Sequence, residues 1–167
     1  MAMQKHVTIY TDGSAIGNPG PGGYGAVLRF GEHSQELAGG FRRTTNNRME
    51  ILAAIEALRA LKEPCTVTLH TDSRYLTDAI TQGWVKRWQA KGWMRTKDEK
   101  ALNVDLWLEL LPLLEKHNVT FVWVRGHVGN PDNERCDMLA REAATQPNLP
   151  PDKVYEAEHK VRSATPR

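Results

Sequence analysis

Two short stretches of the chain alternate β-branched and other residues and then end on Thr-Asp. They cover residues 7–12 and 66–72. Because side chains alternate along a strand, each terminal aspartate lies on the face opposite the apolar residue three positions earlier. If the two stretches are parallel neighbours in a sheet, Asp12 and Asp72 meet at the carboxyl ends of the strands, where open α/β sheets place their ligands.

The pair of aspartates has two interpretations. Two unpaired carboxylates in one place repel each other, so they require either a shared proton or a cation between them. Alternatively, Asp12-Gly13 is a turn and Asp72 is a helix N-cap, which are common roles for aspartate. These two stretches alone leave both interpretations open.

The remaining periodicity predicts a small α/β domain. The predicted elements are, in chain order, strands over 6–12, 24–30 and 35–41, a helix over 45–62, a strand over 66–72, helices over 74–82 and 103–117, a strand over 119–125 and a helix over 133–145. A helix between two parallel strands forms a βαβ unit. The glycine-rich residues 13–25 lack the lysine and spacing of a nucleotide P-loop. Their glycines are expected to let the backbone approach a phosphodiester or another strand closely.

Length and composition favour one domain over residues 1–145, followed by a tail over 146–167 that is predicted to be irregular. The apolar fraction of 40% and the charged fraction of 25% are ordinary for a soluble protein. No apolar run approaches a membrane span, and the N-terminus lacks the apolar core of a signal peptide. The two cysteines match no metal or redox spacing. We expect a cytoplasmic monomer without a membrane partner.

The distribution of charge says more than the net charge of +2. Within residues 84–100, a predicted basic protrusion, tryptophans alternate with cations. The members of this stretch that are candidates for substrate contact are Trp84, Lys86, Arg87, Trp88, Lys91 and Trp93. The pattern is typical of contact with a nucleic-acid backbone. Because Trp84 and Trp88 share a helix face, the alternative is a packed tryptophan anchor.

Two further acids have unusual positions. Glu50 heads a stripe of small and apolar residues on the 45–62 helix that should face the sheet. A solvated glutamate that interacts favourably with the helix dipole is the alternative. Asp137 lies in the first turns of the last predicted helix. With Asp12 and Asp72, these residues form a candidate acidic quartet.

Six motifs occur in one order along the chain. They are Thr11-Asp12-Gly13-Ser14, the glycine-rich residues 17–25, the residues 44–50, Thr71-Asp72-Ser73, the residues 103–107, and Gly126-His127 followed by residues 133–137. Over about residues 6–145 this order resembles bacterial type 1 ribonuclease H. The resemblance implies the ribonuclease H-like α/β fold, a mixed five-stranded sheet with helices on both faces.

The resemblance also implies a reaction, hydrolysis of the RNA strand of an RNA/DNA hybrid to leave 5′-phosphate and 3′-hydroxyl ends. Two Mg²⁺ ions about 3.5–4 Å apart, with Mn²⁺ as a substitute, would serve this chemistry, and carboxylate oxygens suit such hard ions. By resemblance, Asp12 would bridge both ions, Asp137 would hold the ion that activates water, and Glu50 and Asp72 would hold the other. His127 would move protons or help the product leave.

The implied substrate contacts fall into three groups. Asn18, Asn46 and Asn47 match positions that reach the minor groove of the hybrid, where the 2′-hydroxyl distinguishes RNA from DNA. Arg43, Thr45 and Asn103 match a pocket that grips a phosphate of the DNA strand, and the DNA strand would also lie against Trp84 and the neighbouring cations. For Thr45 and Asn103, helix capping is an additional or alternative role.

Three positions depart from the family pattern. Arg74 stands where many relatives have a glutamine that contacts substrate, Gln89-Ala90 replaces more basic residues of the protrusion, and Asn130 stands where relatives often have a second histidine. A non-catalytic hybrid-binding module and another nuclease or strand-transferase on the same fold remain as alternatives. The intact acidic quartet argues against the first, and the three asparagines of the predicted minor-groove contact argue against the second.

Overall fold

The computed structural model describes residues 4–126 and 129–160. Its elements are β1 (Lys5–Ala15), β2 (Gly20–Phe30), β3 (His33–Thr44), α1 (Asn46–Arg59), β4 (Cys65–Thr71), α2 (Arg74–Thr81), α3 (Trp84–Ala90), α4 (Val104–Lys116), β5 (Asn118–Trp123), α5 (Pro131–Ala144) and α6 (Lys153–Glu158). No helix within the described parts of the chain is long and apolar enough to cross a membrane.

The sheet has five strands in the order β3-β2-β1-β4-β5. Strand β1 pairs antiparallel with β2 and parallel with β4, and β4 pairs parallel with β5. Thr11 is the partner of Thr71 across the parallel pair, so Asp12 and Asp72 follow at the same edge. The predicted mixed sheet and the predicted meeting of the two strand ends are both confirmed.

Helices cover both faces of the sheet. On one face, Ile9 and Leu69 are buried together with the inward residues of α1, α2 and α4. On the other face, Val27 packs with Cys136 and Leu139 of α5. Fully burying one aliphatic side chain of this kind contributes roughly 1.5–3 kcal/mol, so the two layers fix α1 and α5 firmly on opposite sides of β1.

The glycine-rich stretch is shorter as a loop than the sequence predicted. Strand β1 continues to Ala15 and β2 begins at Gly20, which leaves a turn of only four residues. At Gly25 the close neighbour is neither a strand nor a phosphodiester. A Cβ atom there would lie 2.6 Å from the carbonyl oxygen of Cys136, so the missing side chain lets helix α5 lie directly on β2.

The prediction of an irregular tail is wrong for the segment that forms α6. Asp152 caps this helix, and its carboxylate accepts hydrogen bonds from Arg48, whose side chain is only 5% exposed. Tyr155 is buried beside it. The segment that forms α6 is held in place because a buried guanidinium needs a nearby carboxylate, a long-range requirement that local composition does not show.

A buried histidine generates the first prediction. His117 is 3% exposed, its Nδ1 accepts a hydrogen bond from the amide of Cys65, and its Nε2 has no partner within the described residues. Burial, assisted by the charge of Lys116, lowers its pKa. The imidazole is therefore neutral in the fold. The free energy of unfolding should fall as the pH drops through about 6.5, the pKa of an unfolded-state histidine, towards the lower folded pKa.

The variant His117→Asn keeps an acceptor near the Nδ1 position and cannot titrate, so it should flatten this dependence between pH 7.5 and pH 5. Denaturant unfolding at the two pH values measures the effect, with exposed His33→Asn as the matched control. If His117→Asn and wild type lose equal stability on acidification, the buried imidazole is not the cause.

Candidate active site

Three of the predicted acids converge at the carboxyl ends of β1 and β4. Asp12 lies in β1, Asp72 directly follows β4, and Glu50 lies in the second turn of α1. One carboxylate oxygen of each residue lies within 4.8 Å of one from each of the others. The interpretation of Asp12 as a simple turn residue is wrong, since residues on both sides of it continue the strand.

The fourth acid, Asp137, lies on α5. Asp137 lines a small cavity together with Asp12, Asp72, Thr11 and Asn133. Its Oδ2 lies 2.6 Å from Nη2 of Arg141, one turn further along the helix. Asp12 and Asp72 therefore belong both to the cluster with Glu50 and to the cavity with Asp137.

Two glycines allow this convergence. A Cβ atom at Gly13 would lie 2.5 Å from the backbone nitrogen of Glu50, so only glycine lets the start of α1 approach β1 this closely. Gly25 is the partner of Asp12 across β1 and β2 and makes the equivalent room for α5 next to Cys136. Each close approach brings one helix-borne carboxylate to Asp12.

The cluster is electrostatically unbalanced. The pKa of Asp12 is raised to about 7, mainly by burial and secondly by repulsion from Asp72. The hydrogen bond that the backbone amide of Gly13 donates to Asp12 Oδ1 lowers this pKa but does not offset the two effects. Burial and the neighbouring charges of Asp12 and Asp72 raise the pKa of Glu50 well above its ordinary range. Oxygen Oε1 of Glu50 is buried without a hydrogen-bond partner among the described residues.

These features fit bound divalent cations. An unpartnered buried carboxylate oxygen is costly unless a cation or a proton occupies the space beside it. The donor set consists of carboxylate oxygens, which hard ions such as Mg²⁺ or Mn²⁺ prefer, and it contains no sulfur ligand.

The predicted minor-groove residues lie close to this cluster. Asn46 accepts a hydrogen bond from the amide of Ala15 through Oδ1 at 2.6 Å. The backbone N–H of Asn46 donates to Oδ1 of Asn18 at 2.9 Å. Asn18 and Asn46 are thus fixed to each other beside the end of β1, while the side chain of Asn47 is exposed.

The predicted phosphate pocket coincides in part with a cavity of about 290 Å³. Its lining includes Asn18, Thr45, Asn47, Arg48, Asn103, Tyr155, Glu158 and His159. Thr45 caps α1 by accepting from the amide of Arg48, as predicted. Asn103 occupies the N-cap position of α4, as predicted, with a left-handed φ of 62°, but its side chain makes no capping hydrogen bond. Arg43 is exposed on β3 and is not part of the lining.

Sequence reasoning missed Arg48 and the tail residues of this cavity. A signal for Arg48 was present, since a cation in the first turn of a helix interacts unfavourably with the helix dipole. Such a position predicts acidic partners elsewhere in the chain. Their identity could not be read from the sequence.

The basic protrusion separates its rings from its charges. The Trp88 ring lies 6.4 Å from that of Trp107 and 6.3 Å from that of Trp84, and both Trp84 and Trp88 pack against the core. Trp93 packs there as well. The side chains of Lys86, Arg87 and Lys91 are exposed. The tryptophans are therefore anchors in this structure, and the cations face solvent.

The three departures from the family pattern lie around the site. The Arg74 guanidinium stacks 3.9 Å from the ring centroid of Trp123, whose Nε1 donates to the backbone oxygen of Asp72. Asn130 caps α5 by accepting from the amides of Asp132 and Asn133. Gln89 and Ala90 are exposed at the end of α3. His127 lies outside the described residues.

Comparison with known proteins identifies relatives over most of the chain. The model of the RNase H family matches residues 4–145. The chain is 62% identical over 152 residues to the Ribonuclease H of Syntrophus aciditrophicus, covering 91% of this chain and 88% of that protein. It is 54% identical to the Ribonuclease H of Aeromonas salmonicida, covering 92% and 99%.

Solved structures show the same fold. LC9-RNase H1, described as a type 1 RNase H with the type 2 active-site motif, has a TM-score of 0.77 at 34% identity and covers 86% of this chain and 74% of its own. LC11-RNase H1, solved in complex with an RNA/DNA hybrid, has a TM-score of 0.64 at 26% identity and covers 83% and 96%.

The raised pKa of Asp12 generates a prediction for the metal-free protein. The pKa is 3.8 for the unperturbed group and about 7 in the fold, so the folded state binds this proton more tightly. The free energy of unfolding should fall as the pH rises from about 4 to about 7 and then level off. Asp12→Asn should remove part of this loss and raise the Tm at pH 8 by about 3–8 °C, the scale of 1–3 kcal/mol in a protein of this size.

Thermal unfolding in EDTA at pH 5 and pH 8 measures this effect. Asp78→Asn, on α2 and outside the cluster, is the matched control. Equal Tm values for wild type and Asp12→Asn at pH 8 would show that repulsion within the cluster does not limit stability.

Proposed function

The chain belongs to the ribonuclease H family, and from that premise we propose that it hydrolyses the RNA strand of RNA/DNA hybrids to give 5′-phosphate and 3′-hydroxyl ends. The observation that carries the proposal is the convergence of Asp12, Glu50 and Asp72, with Asp137 in the adjoining cavity. The hybrid-bound relative supports the choice of substrate. A protein that only bound hybrids would gain nothing from four carboxylates beside phosphates.

The quartet would hold two Mg²⁺ ions, for which Mn²⁺ could substitute. By resemblance to the family, Asp12 would contribute to both, and its place in the cluster with Glu50 and in the cavity with Asp137, which Asp72 shares, supports that role. When bound, such ions lower the pKa of a water molecule and stabilise the charge that develops on the attacking and leaving oxygens. Bound cations would remove the repulsion among the carboxylates, and this gain in free energy would contribute to metal affinity.

The protein's own residues would orient the substrate against this centre. Asn18 and Asn46, fixed to each other near the end of β1, would present polar atoms to the minor groove together with Asn47. Arg74, whose guanidinium lies over the Trp123 ring near Asp72, would reach a backbone phosphate. His127 would move a proton or help the product leave. Contacts of this kind address the sugar and phosphate more than the bases, so little sequence preference is expected.

The DNA strand would be held at two places. Thr45 and Asn103 would bind one of its phosphates in the cavity that they line, and Arg43 would approach from β3. Lys86, Arg87 and Lys91 on the outer side of α3 would contact further phosphates, since their tryptophan neighbours pack inward.

Removing one carboxylate tests the catalytic proposal. Asp12→Asn should lower turnover of a labelled hybrid in Mg²⁺ by about three orders of magnitude, equivalent to about 4 kcal/mol of transition-state stabilisation, while hybrid binding survives. Wild type should cleave only RNA within the hybrid, and only with divalent ions present. Single-stranded RNA and duplex DNA serve as substrate controls, and Asp78→Asn serves as the control variant. Cleavage by Asp12→Asn near the wild-type rate would refute the assignment of the acidic cluster.

Removing charge from α3 tests the proposed DNA contact. The triple variant Lys86→Ala, Lys91→Ala and R87A should weaken hybrid binding and reduce the slope of log K against log salt by about 3, because fewer counterions are released. The matched control replaces Lys5 at the start of β1, Lys62 just beyond the end of α1 and Lys116 at the end of α4, none of which belongs to the acidic cluster or to the phosphate cavity. An unchanged salt slope in the α3 variant would show that the exposed cations do not contact the nucleic-acid backbone.

A further inference from the structure

A buried ion-pair network lies directly behind the cavity that Thr45 and Asn103 line. The Arg48 guanidinium donates to both oxygens of Asp105, at 2.9 and 2.7 Å, and to both oxygens of Asp152, at 2.7 and 3.1 Å. Asp152 also accepts a hydrogen bond from the Thr44 hydroxyl at 2.7 Å. One cation is thus held by two carboxylates, one of which comes from the tail.

This network reaches a residue of the cavity itself. Arg48 Nη1 donates to Oδ1 of Asn103 at 3.3 Å, and Nδ2 of Asn103 donates to the Tyr75 hydroxyl at 3.1 Å. Because a guanidinium has only donors, it fixes the oxygen of the amide towards Arg48. The amide nitrogen carries a second hydrogen, so the same contact leaves Asn103 oriented as a donor towards an anion in the cavity.

The tail supplies part of the cavity wall. Tyr155, Glu158 and His159 line it together with Asn18 and Thr45. The His159 ring stacks on that of Tyr155 with centroids 4.2 Å apart, and its Nδ1 lies 3.0 Å from the Tyr155 carbonyl oxygen. Since a carbonyl only accepts, Nδ1 carries the hydrogen, and Nε2 of the neutral ring is an acceptor, which can reach a phosphate oxygen through a water molecule that donates to both.

The tail is fastened at the cavity by contacts beyond the network. The carbonyl oxygen of Pro150 accepts from the amide of Arg42 at 2.9 Å, and the Arg42 side chain pairs with Glu156 at 2.7 Å. A helix of six residues such as α6 is not stable alone, so these contacts to β3 and α1 determine where it lies.

We propose that residues 150–159 are part of the hybrid-binding site. Asp152 is a positioning residue that holds Arg48 and, through it, the Asn103 amide. His159 adds a wall and, through Nε2, an acceptor for a water molecule that bridges to a phosphate of the DNA strand. The inference rests on the proposed function and extends it, since it assigns substrate recognition to a segment that follows the region matched by the family.

The test combines tail variants with a modified substrate. Asp152→Asn keeps the size of the side chain and removes its charge, and His159→Ala removes the ring from the wall. Glu142→Gln is the matched control, because it neutralises an exposed carboxylate on α5 that does not line the cavity. Steady-state cleavage is measured on hybrids whose DNA strand carries a neutral methylphosphonate at each position in turn.

We expect Asp152→Asn and His159→Ala to raise KM by roughly three- to tenfold, the scale of one hydrogen bond, with kcat within about twofold of wild type. Glu142→Gln should leave both parameters unchanged. The methylphosphonate that most weakens wild type should have a much smaller effect in the two tail variants, because both changes remove the same contact. Thermal unfolding identifies any variant that fails to fold. If Asp152→Asn fails to fold, His159→Ala decides the question, because His159 is exposed and its replacement should leave the fold intact.

Two results would overturn the inference. One is a wild-type KM for folded His159→Ala and Asp152→Asn, and the other is a KM increase that is equal for every methylphosphonate position. Failure of the proposed function looks different, because wild type would then cleave no hybrid at all.

Discussion

The functional arrangement of this protein depends on holding clustered carboxylates together against their mutual repulsion. Asp12, Glu50 and Asp72 lie with oxygens within 4.8 Å of one another, and the pKa of Asp12 is raised to about 7 as a result of burial and of the nearby charge. Nothing local favours such a cluster. The parallel pairing of β1 with β4 and the close seating of α1 on Gly13 hold it together against its own field. The unfavourable electrostatic free energy of the fold is concentrated where bound cations would relieve it.

A second charged cluster shows the opposite design. Arg48 is buried, but Asp105 and Asp152 accept hydrogen bonds from it on two sides. Every strong donor of that group that points inward is satisfied, so this cluster fixes geometry and is not available for chemistry. Glu50 of the unbalanced cluster and Arg48 of the balanced one lie two residues apart in α1, so one helix carries a member of each cluster.

The protrusion divides its residues in a similar way. Its tryptophans pack against Trp107 and the core, which gives α3 a fixed position although the helix has only seven residues. The cations between them are then carried to the surface by helical periodicity alone. A stretch that reads as mixed aromatic and basic in sequence is therefore an apolar anchor on one side and a charged face on the other.

The sequence by itself determined the strand that carries Asp12, the strand that leads into Asp72, the helix that carries Glu50, and the exposed cations of α3, because each depends on periodicity within a few residues. Only the tertiary structure decided that Gly25 makes room for α5, that the tail forms a helix, and that Asp152 meets Arg48. Those two residues are 104 positions apart. Such contacts depend on which surfaces the packed core brings together, and no local pattern of residues encodes that choice.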